Sequence, residues 1–122
     1  MIETRVTRNF RAMHSLPQFG GVEPHWHDYV ATLGYRHEIA PTTGATKALG
    51  DVLSAINPLI ARVDGSDLNA LMACPPTAEF LALWLLRELP EYFDFVEIHA
   101  YEVLTVRATR QQARFEWLDW AR

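Results

Sequence analysis

A chain of 122 residues with 49% apolar and 21% charged residues is the size and composition of one globular domain able to bury a core. The net charge is −4 and ten of the eleven basic residues are arginines scattered among carboxylates, from Arg5 to Arg122. That dispersal argues against a concentrated basic face for nucleic acid, and leaves room for an anionic small molecule held by two or three arginines. Cys74 is the only cysteine, which excludes an intramolecular disulfide framework and a cysteine-based zinc cluster. The start Met1-Ile2-Glu3-Thr4-Arg5 lacks a signal-peptide core, and the longest apolar run, Phe80 to Leu86, is too short to span a bilayer. A cytoplasmic protein without a membrane or nucleic-acid partner is expected.

Residues 2 to 14 set Ile2, Val6, Phe10, Ala12 and His14 against Glu3, Arg5, Thr7, Asn9 and Arg11, which predicts a long strand with one apolar face. His14 closes that face. Residues 15 to 24, with Pro17, Gly20, Gly21 and Pro24, read as a loop. A second strand rich in β-branched and aromatic residues runs from His25 to about His37. Strand side chains alternate faces, so His25 and His27 share a side, and an antiparallel pairing brings His14 beside them. Imidazoles on a rigid element suit a transition metal such as zinc, although a His-x-His pair alone is more often simply part-buried.

After Pro41-Thr42-Thr43-Gly44, the spacing of Leu49, Val52, Leu53, Ile56, Leu59, Ile60 and Val63 predicts an amphipathic helix, with Thr46 as its N-cap and Pro58 kinking it. Asp64 to Asn69 reads as a turn-rich loop. A second helix opens at Thr77 as N-cap with Glu79 in its first turn, and is apolar nearly all round from Phe80 to Leu89, as a helix buried on more than one side is. Residues 94 to 107 read as a third strand whose apolar parity is broken by Glu102. A carboxylate there either meets a ligand or hydrogen-bonding partner, or marks a strand end with a solvated inner face. Arg110 to Trp120 completes a fourth strand. The expected class is α+β, a single domain over residues 1–122 with a four-stranded antiparallel sheet and two helices on one face, in ββααββ order.

Five stretches, Phe10-Arg11-Ala12-Met13-His14, His25-Trp26-His27-Asp28-Tyr29, Val63-Asp64-Gly65-Ser66-Asp67-Leu68-Asn69, Pro76-Thr77-Ala78-Glu79 and Tyr101-Glu102, occur in the order and spacing of one family. From about Phe10 to Thr105 the chain resembles the 6-pyruvoyl tetrahydropterin synthases, a family that includes the 6-carboxy-tetrahydropterin synthases. The resemblance implies a tunnelling fold, in which three subunits close their sheets into a barrel and two trimers stack into a homohexamer. It implies Zn²⁺ held by His14, His25 and His27 with an open fourth position, the arrangement of a catalytic site. It implies a pterin anchored by Glu102, and a substrate pocket lined by Thr77 and Glu79.

The chain also departs from that pattern. The loop Gly20-Gly21-Val22-Glu23-Pro24 lacks the family's cysteine, and Asp64-Gly65 keeps the aspartate of a catalytic Asp-His pair without its histidine. Bulky Trp26 stands between the metal histidines, and Ala48-Leu49 replaces an Asp-Phe pair. General acid–base help is worth about 10²–10⁴-fold, so proton transfer needs a substitute. Glu23, otherwise an exposed loop glutamate, and Asp64 are the candidates. Cys74 beside Pro75-Pro76 reads as a small buried residue rather than a displaced nucleophile. The resemblance thus implies a zinc-dependent lyase, either a carbon–oxygen lyase or one that cuts the side chain of a dihydroneopterin-type pterin. The alternative is a zinc- and pterin-binding homologue without the parent activity.

Overall fold

The computed structural model describes residues 1–45 and 47–119, and the side chains of residues 21 and 22 are left aside. Thr46, expected to cap the first helix, and Trp120 lie outside the described residues.

Strand β1 (Ile2–Leu16) and strand β2 (Gly21–His37) form a long antiparallel pair, joined by a single 3-10 turn at Pro17–Phe19. The strands are longer than the alternation alone predicts, and they absorb most of the expected loop. Their register shifts between His14 and Leu16, where Pro24, which has no N–H to offer a ladder, stands in the partner strand. Helix α1 (Leu49–Val63) follows the apolar stripe and continues past Pro58, and its N-cap position is Ala48, which makes no side-chain cap. A one-turn helix α2 (Leu68–Leu71), capped by the Asp67 side chain, replaces part of the expected loop. Helix α3 (Ala78–Glu88) begins as expected, with the Thr77 hydroxyl accepting from the Phe80 N–H.

The C-terminal third corrects the reading. The long third strand is two strands, β3 (Phe95–Ala100) and β4 (Leu104–Thr109), joined by a hairpin turn at Tyr101, Glu102 and Val103. Tyr101 and Glu102 sit at φ 56° and 64°, a left-handed conformation unusual without glycine. Glu102 therefore stands on an exposed turn, not on an apolar strand face, and the parity argument made for it does not hold. The described part of the expected fourth strand forms two 3-10 turns, Arg110–Gln112 and Phe115–Asp119, that pack Leu118 into the core. The Arg110 guanidinium explains why the strand stops: it donates to the carbonyls of Leu86, Pro90 and Phe93, tying the chain to the end of α3.

The sheet order is β1-β2-β3-β4, antiparallel throughout, and the helices share one face. On that face Phe10, Ala12, Tyr29, Ala31, Leu33, Val96, Ile98 and Ala100 meet Val52, Ile56, Leu81, Leu85 and Leu86 in one buried cluster. The α+β class and the four-stranded sheet agree with the sequence, with three α-helices among the described residues instead of two. On the opposite face Phe95 folds across Gly34, where an added Cβ would fall 2.0 Å from the ring, beneath the guanidiniums of Arg5, Arg36 and Arg107. No helix among the described residues is long and apolar enough to cross a membrane.

Candidate metal centre

The β1–β2 register pairs His14 with His25 and Ala12 with His27, so alternation puts all three imidazoles on the helix-covered face at one end of the sheet. Their nearest ligating nitrogens all lie within 4.8 Å of one another, and the ring centroids are 4.6–4.9 Å apart. His14 is buried, and its Nδ1–H donates to the Pro76 carbonyl at 2.9 Å. His25 Nδ1–H donates to the Glu23 carbonyl at 2.9 Å. Each bond fixes a tautomer whose Nε2 bears the lone pair, the arrangement that orients metal-ligating histidines. His27 Nε2 is buried with no hydrogen-bonding partner. An orphaned buried nitrogen costs roughly 1–3 kcal/mol, which a bound cation would recover. Burial, and then the neighbouring imidazoles, push the His27 pKa down. Burial also pushes His14 down, against the Pro76 hydrogen bond. Both rings are thereby held in the neutral form that binds metal. Three neutral imidazoles fit Zn²⁺, with a position left for an exchangeable ligand.

Trp26 does not obstruct this centre. Alternation turns it to the other face, where it is half-exposed and lies 5.6 Å from the Arg11 guanidinium.

The strand that carries His14 is an edge strand, and its outer edge is closed over this stretch by the segment after α1. Gly65 N–H donates to Arg11 O, Met13 N–H to Ser66 O, and the Asp64 carboxylate accepts from Arg11 N–H at 3.0 Å. The Asn69 side chain accepts from Ser15 N–H and donates to Ser15 O, at 2.8 and 3.0 Å. Asp64 thus sits on the edge of β1, not among the histidines. This clamp was not anticipated, because side chain to backbone pairing across 54 residues leaves no mark in local spacing.

Among the described residues, no side chain of Thr77, Glu79, Glu23 or Glu102 hydrogen-bonds to the three rings. Pro76, Thr77 and Glu79 lead into α3, and Thr77 spends its hydroxyl oxygen on the helix cap. Glu23 is exposed, with its carbonyl on His25. The β3–β4 turn places the Tyr101 ring edge-on to His27, 4.4 Å between centroids, with its hydroxyl donating to His14 Nε2 at 3.3 Å. Burial and the Glu79 carboxylate push the Tyr101 phenol up, and burial pushes Tyr29, behind His14, up further. Glu102 is the next residue on the turn. Tyr101 was overlooked because a continuous strand assigns it to the polar face. Cys74 is buried in the core and its thiol is pushed up by burial, as expected of a packing residue.

No curated protein matches the chain by sequence. Among solved structures it is similar to 6-pyruvoyl tetrahydropterin synthase from Caenorhabditis elegans, with a TM-score of 0.82 at 20% identity over 88% of this chain and 94% of that one. It is also similar to a catalytic-residue mutant of Plasmodium vivax 6-pyruvoyltetrahydropterin synthase, a glutamate replaced by alanine, with a TM-score of 0.65 at 12% identity over 89% and 97%. These likenesses concern the fold. The sequence model of the family described as 6-pyruvoyl tetrahydropterin synthase matches residues 3–117, from near the start of β1 into the 3-10 turn at Phe115–Asp119 and across all three histidines. The chain belongs to the 6-pyruvoyl tetrahydropterin synthase family.

Proposed function

We propose that this protein is a zinc-dependent lyase acting on the side chain of a dihydroneopterin-type pterin, with proton-transfer groups that differ from those usual in its family. The observation that carries the reading is the convergence of His14, His25 and His27, one ligating nitrogen of each within 4.8 Å of the others, in a chain of this family. Zinc, when bound, supplies a Lewis acid that acidifies C–H and O–H groups of the pterin side chain. Glu102, one residue from the Tyr101 ring at the centre, is the pterin anchor, accepting from the ring's amino and N–H groups. Thr77 and Glu79 line the pocket on the α3 side. Glu23 is the base we favour over Asp64, since it stands two residues before His25 in an exposed position while Asp64 accepts from Arg11 N–H. That a glutamate is named as a catalytic residue in the Plasmodium vivax synthase supports a carboxylate in such a role.

The working form in this reading is a single domain per chain, assembled in the cytoplasm as a trimer or a dimer of trimers. The edge of β4, and the part of the β1 edge before Arg11, are the surfaces that closing a barrel would pair.

A second reading, a zinc- and pterin-binding homologue without the parent activity, is favoured by the region that replaces the family's Asp-His pair. Gly65 sits at φ 74°, a conformation that disfavours a side chain, and Asp64 serves the β1 edge. Incubating the purified protein with 7,8-dihydroneopterin triphosphate and with 7,8-dihydroneopterin, followed by product analysis, separates the two. Turnover of either substrate, lost on removal of zinc, is expected. Stoichiometric zinc with no product from either would sink the enzymatic reading for these substrates.

A further inference from the structure

Three histidines would leave one position of a tetrahedral centre to another donor, and the Tyr101 ring stands against two of them. The Tyr101 hydroxyl lies 3.3 Å from His14 Nε2, the nitrogen that the Pro76 hydrogen bond leaves free for metal. Donors about 2.0–2.1 Å from a tetrahedral zinc stand about 3.3 Å from one another, so this spacing is the one a fourth donor would have. The Tyr101 ring meanwhile lies edge-on to His27, at 80° and 4.4 Å, beside the imidazole whose Nε2 has no partner. One phenol therefore touches two of the three ligands.

The backbone is bent to achieve this. Tyr101 and Glu102 both hold left-handed conformations, each costing of order 1–3 kcal/mol for a residue with a Cβ. A hairpin of this kind ordinarily takes Asn-Gly or Gly-Gly; here Glu102 and Val103 are exposed, and Tyr101 turns its ring against His27. The strain is kept where it delivers a ring to the centre.

We infer that Tyr101 is a fourth protein donor to this metal centre, its hydroxyl oxygen closing the position opposite the three imidazoles until a substrate oxygen replaces it. The inference rests on the metal reading above. It makes the resting site closed, with four protein ligands, and makes substrate binding an exchange of one oxygen donor for another. A ligand bringing two adjacent oxygens would displace the phenol more readily than one bringing a single oxygen, because the second contact offsets the donor that is lost.

The test loads the purified full chain with cobalt(II), records its visible spectrum, and measures zinc affinity by competition with a chromophoric chelator. It compares the unaltered chain with Tyr101→Phe and Tyr29→Phe. Phenylalanine keeps the ring against His27 and removes only the oxygen. Tyr29 is the control, because its hydroxyl lies 3.5 Å from His14, on the Nδ1 side away from the metal. Expected for Tyr101→Phe are altered cobalt ligand-field bands and zinc binding weaker by at least ~10-fold, with the far-ultraviolet circular dichroism unchanged. Tyr29→Phe should keep the bands of the unaltered chain. Superimposable spectra and equal zinc affinity for Tyr101→Phe and the unaltered chain would overturn the inference while leaving the three-histidine centre intact. An equal spectral change from Tyr29→Phe would overturn it as well. Failure of the unaltered chain to take up stoichiometric cobalt would overturn the metal reading and this inference together.

Discussion

The two ends of strand β2 carry histidines of the same parity, and they show what makes an imidazole a candidate ligand. His27 near one end and His37 at the other both bury an Nε2 with no hydrogen-bonding partner. Across the ladder, however, His25 beside His27 pairs with His14, whereas His37 pairs with Ile2. The neighbours of His37 are the rings of Tyr35 and Tyr92, at 4.9 and 6.3 Å, and no second imidazole converges on it among the described residues. An orphaned nitrogen is thus a weak sign alone and a strong one in company. Two of the three converging rings are also anchored through Nδ1 to backbone carbonyls, so their open nitrogens face one point before any metal arrives.

The sharpest way to break this comparison is substitution at both ends. His25→Ala should abolish stoichiometric zinc binding, a loss of more than ~100-fold in affinity, because two histidines and the Tyr101 phenol no longer hold the ion against solvent. His37→Ala should leave the stoichiometry and affinity unchanged. Metal analysis after gel filtration and a chelator competition read both. Equal losses at the two ends would show that the convergence of side chains is not what selects the metal.

Acid gives the next largest effect. His14 and His27 are depressed in the folded state and return to the usual histidine value near 6.5 on unfolding. Below about pH 6.5 the unfolded chain takes up protons that the native chain refuses, so the metal-free protein should lose stability as pH falls, until the depressed native values are reached. The slope is bounded at about 1.4 kcal/mol per pH unit for each histidine. Denaturant unfolding at pH 7.5, 6.5 and 5.5 measures it. His27→Gln should flatten the dependence; a slope left unchanged would mean that His27 is not among the groups held neutral.

The convergence of the three histidines was legible in the sequence because each step was local. Alternation fixes the face of His14, His25 and His27, and a short connection between two strands of that length leaves antiparallel pairing as the simple outcome. Helices α1 and α3 were legible for the same reason, one through its apolar stripe and the other through the Thr77 cap. Tyr101-Glu102-Val103 failed because it contains none of Gly, Pro, Asn or Asp, the residues that announce a turn, and the chain bends there at a conformational cost. The missed turn fused β3 with β4, displaced the fourth strand onto the 3-10 turns after Arg110, and hid Tyr101 from the site. Asp64 and Asn69 show a different limit. Their residue types suit catalysis and turns, and only the fold reveals that both hydrogen-bond to the edge of β1.

That edge gives the smallest and most selective test. Asn69 satisfies both peptide groups of Ser15, the residue after His14, at the point where the β1–β2 register shifts. The histidine is therefore held from two sides, by Pro76 through its ring and by Asn69 through the adjoining backbone. Asn69→Ala removes the second hold and should lower stability by about 1–2 kcal/mol, the worth of two hydrogen bonds at an exposed site. Asn69→Asp should recover part of this, since a carboxylate still accepts from Ser15 N–H but cannot donate to Ser15 O. If the clamp positions His14 as well as stabilising the strand, zinc affinity should fall in the order unaltered chain, Asn69→Asp, Asn69→Ala, measured at a temperature where all three are folded. Zinc affinities that stay equal while stability falls would assign Asn69 to the strand edge alone, and would leave Pro76 as the group that aims the His14 ring.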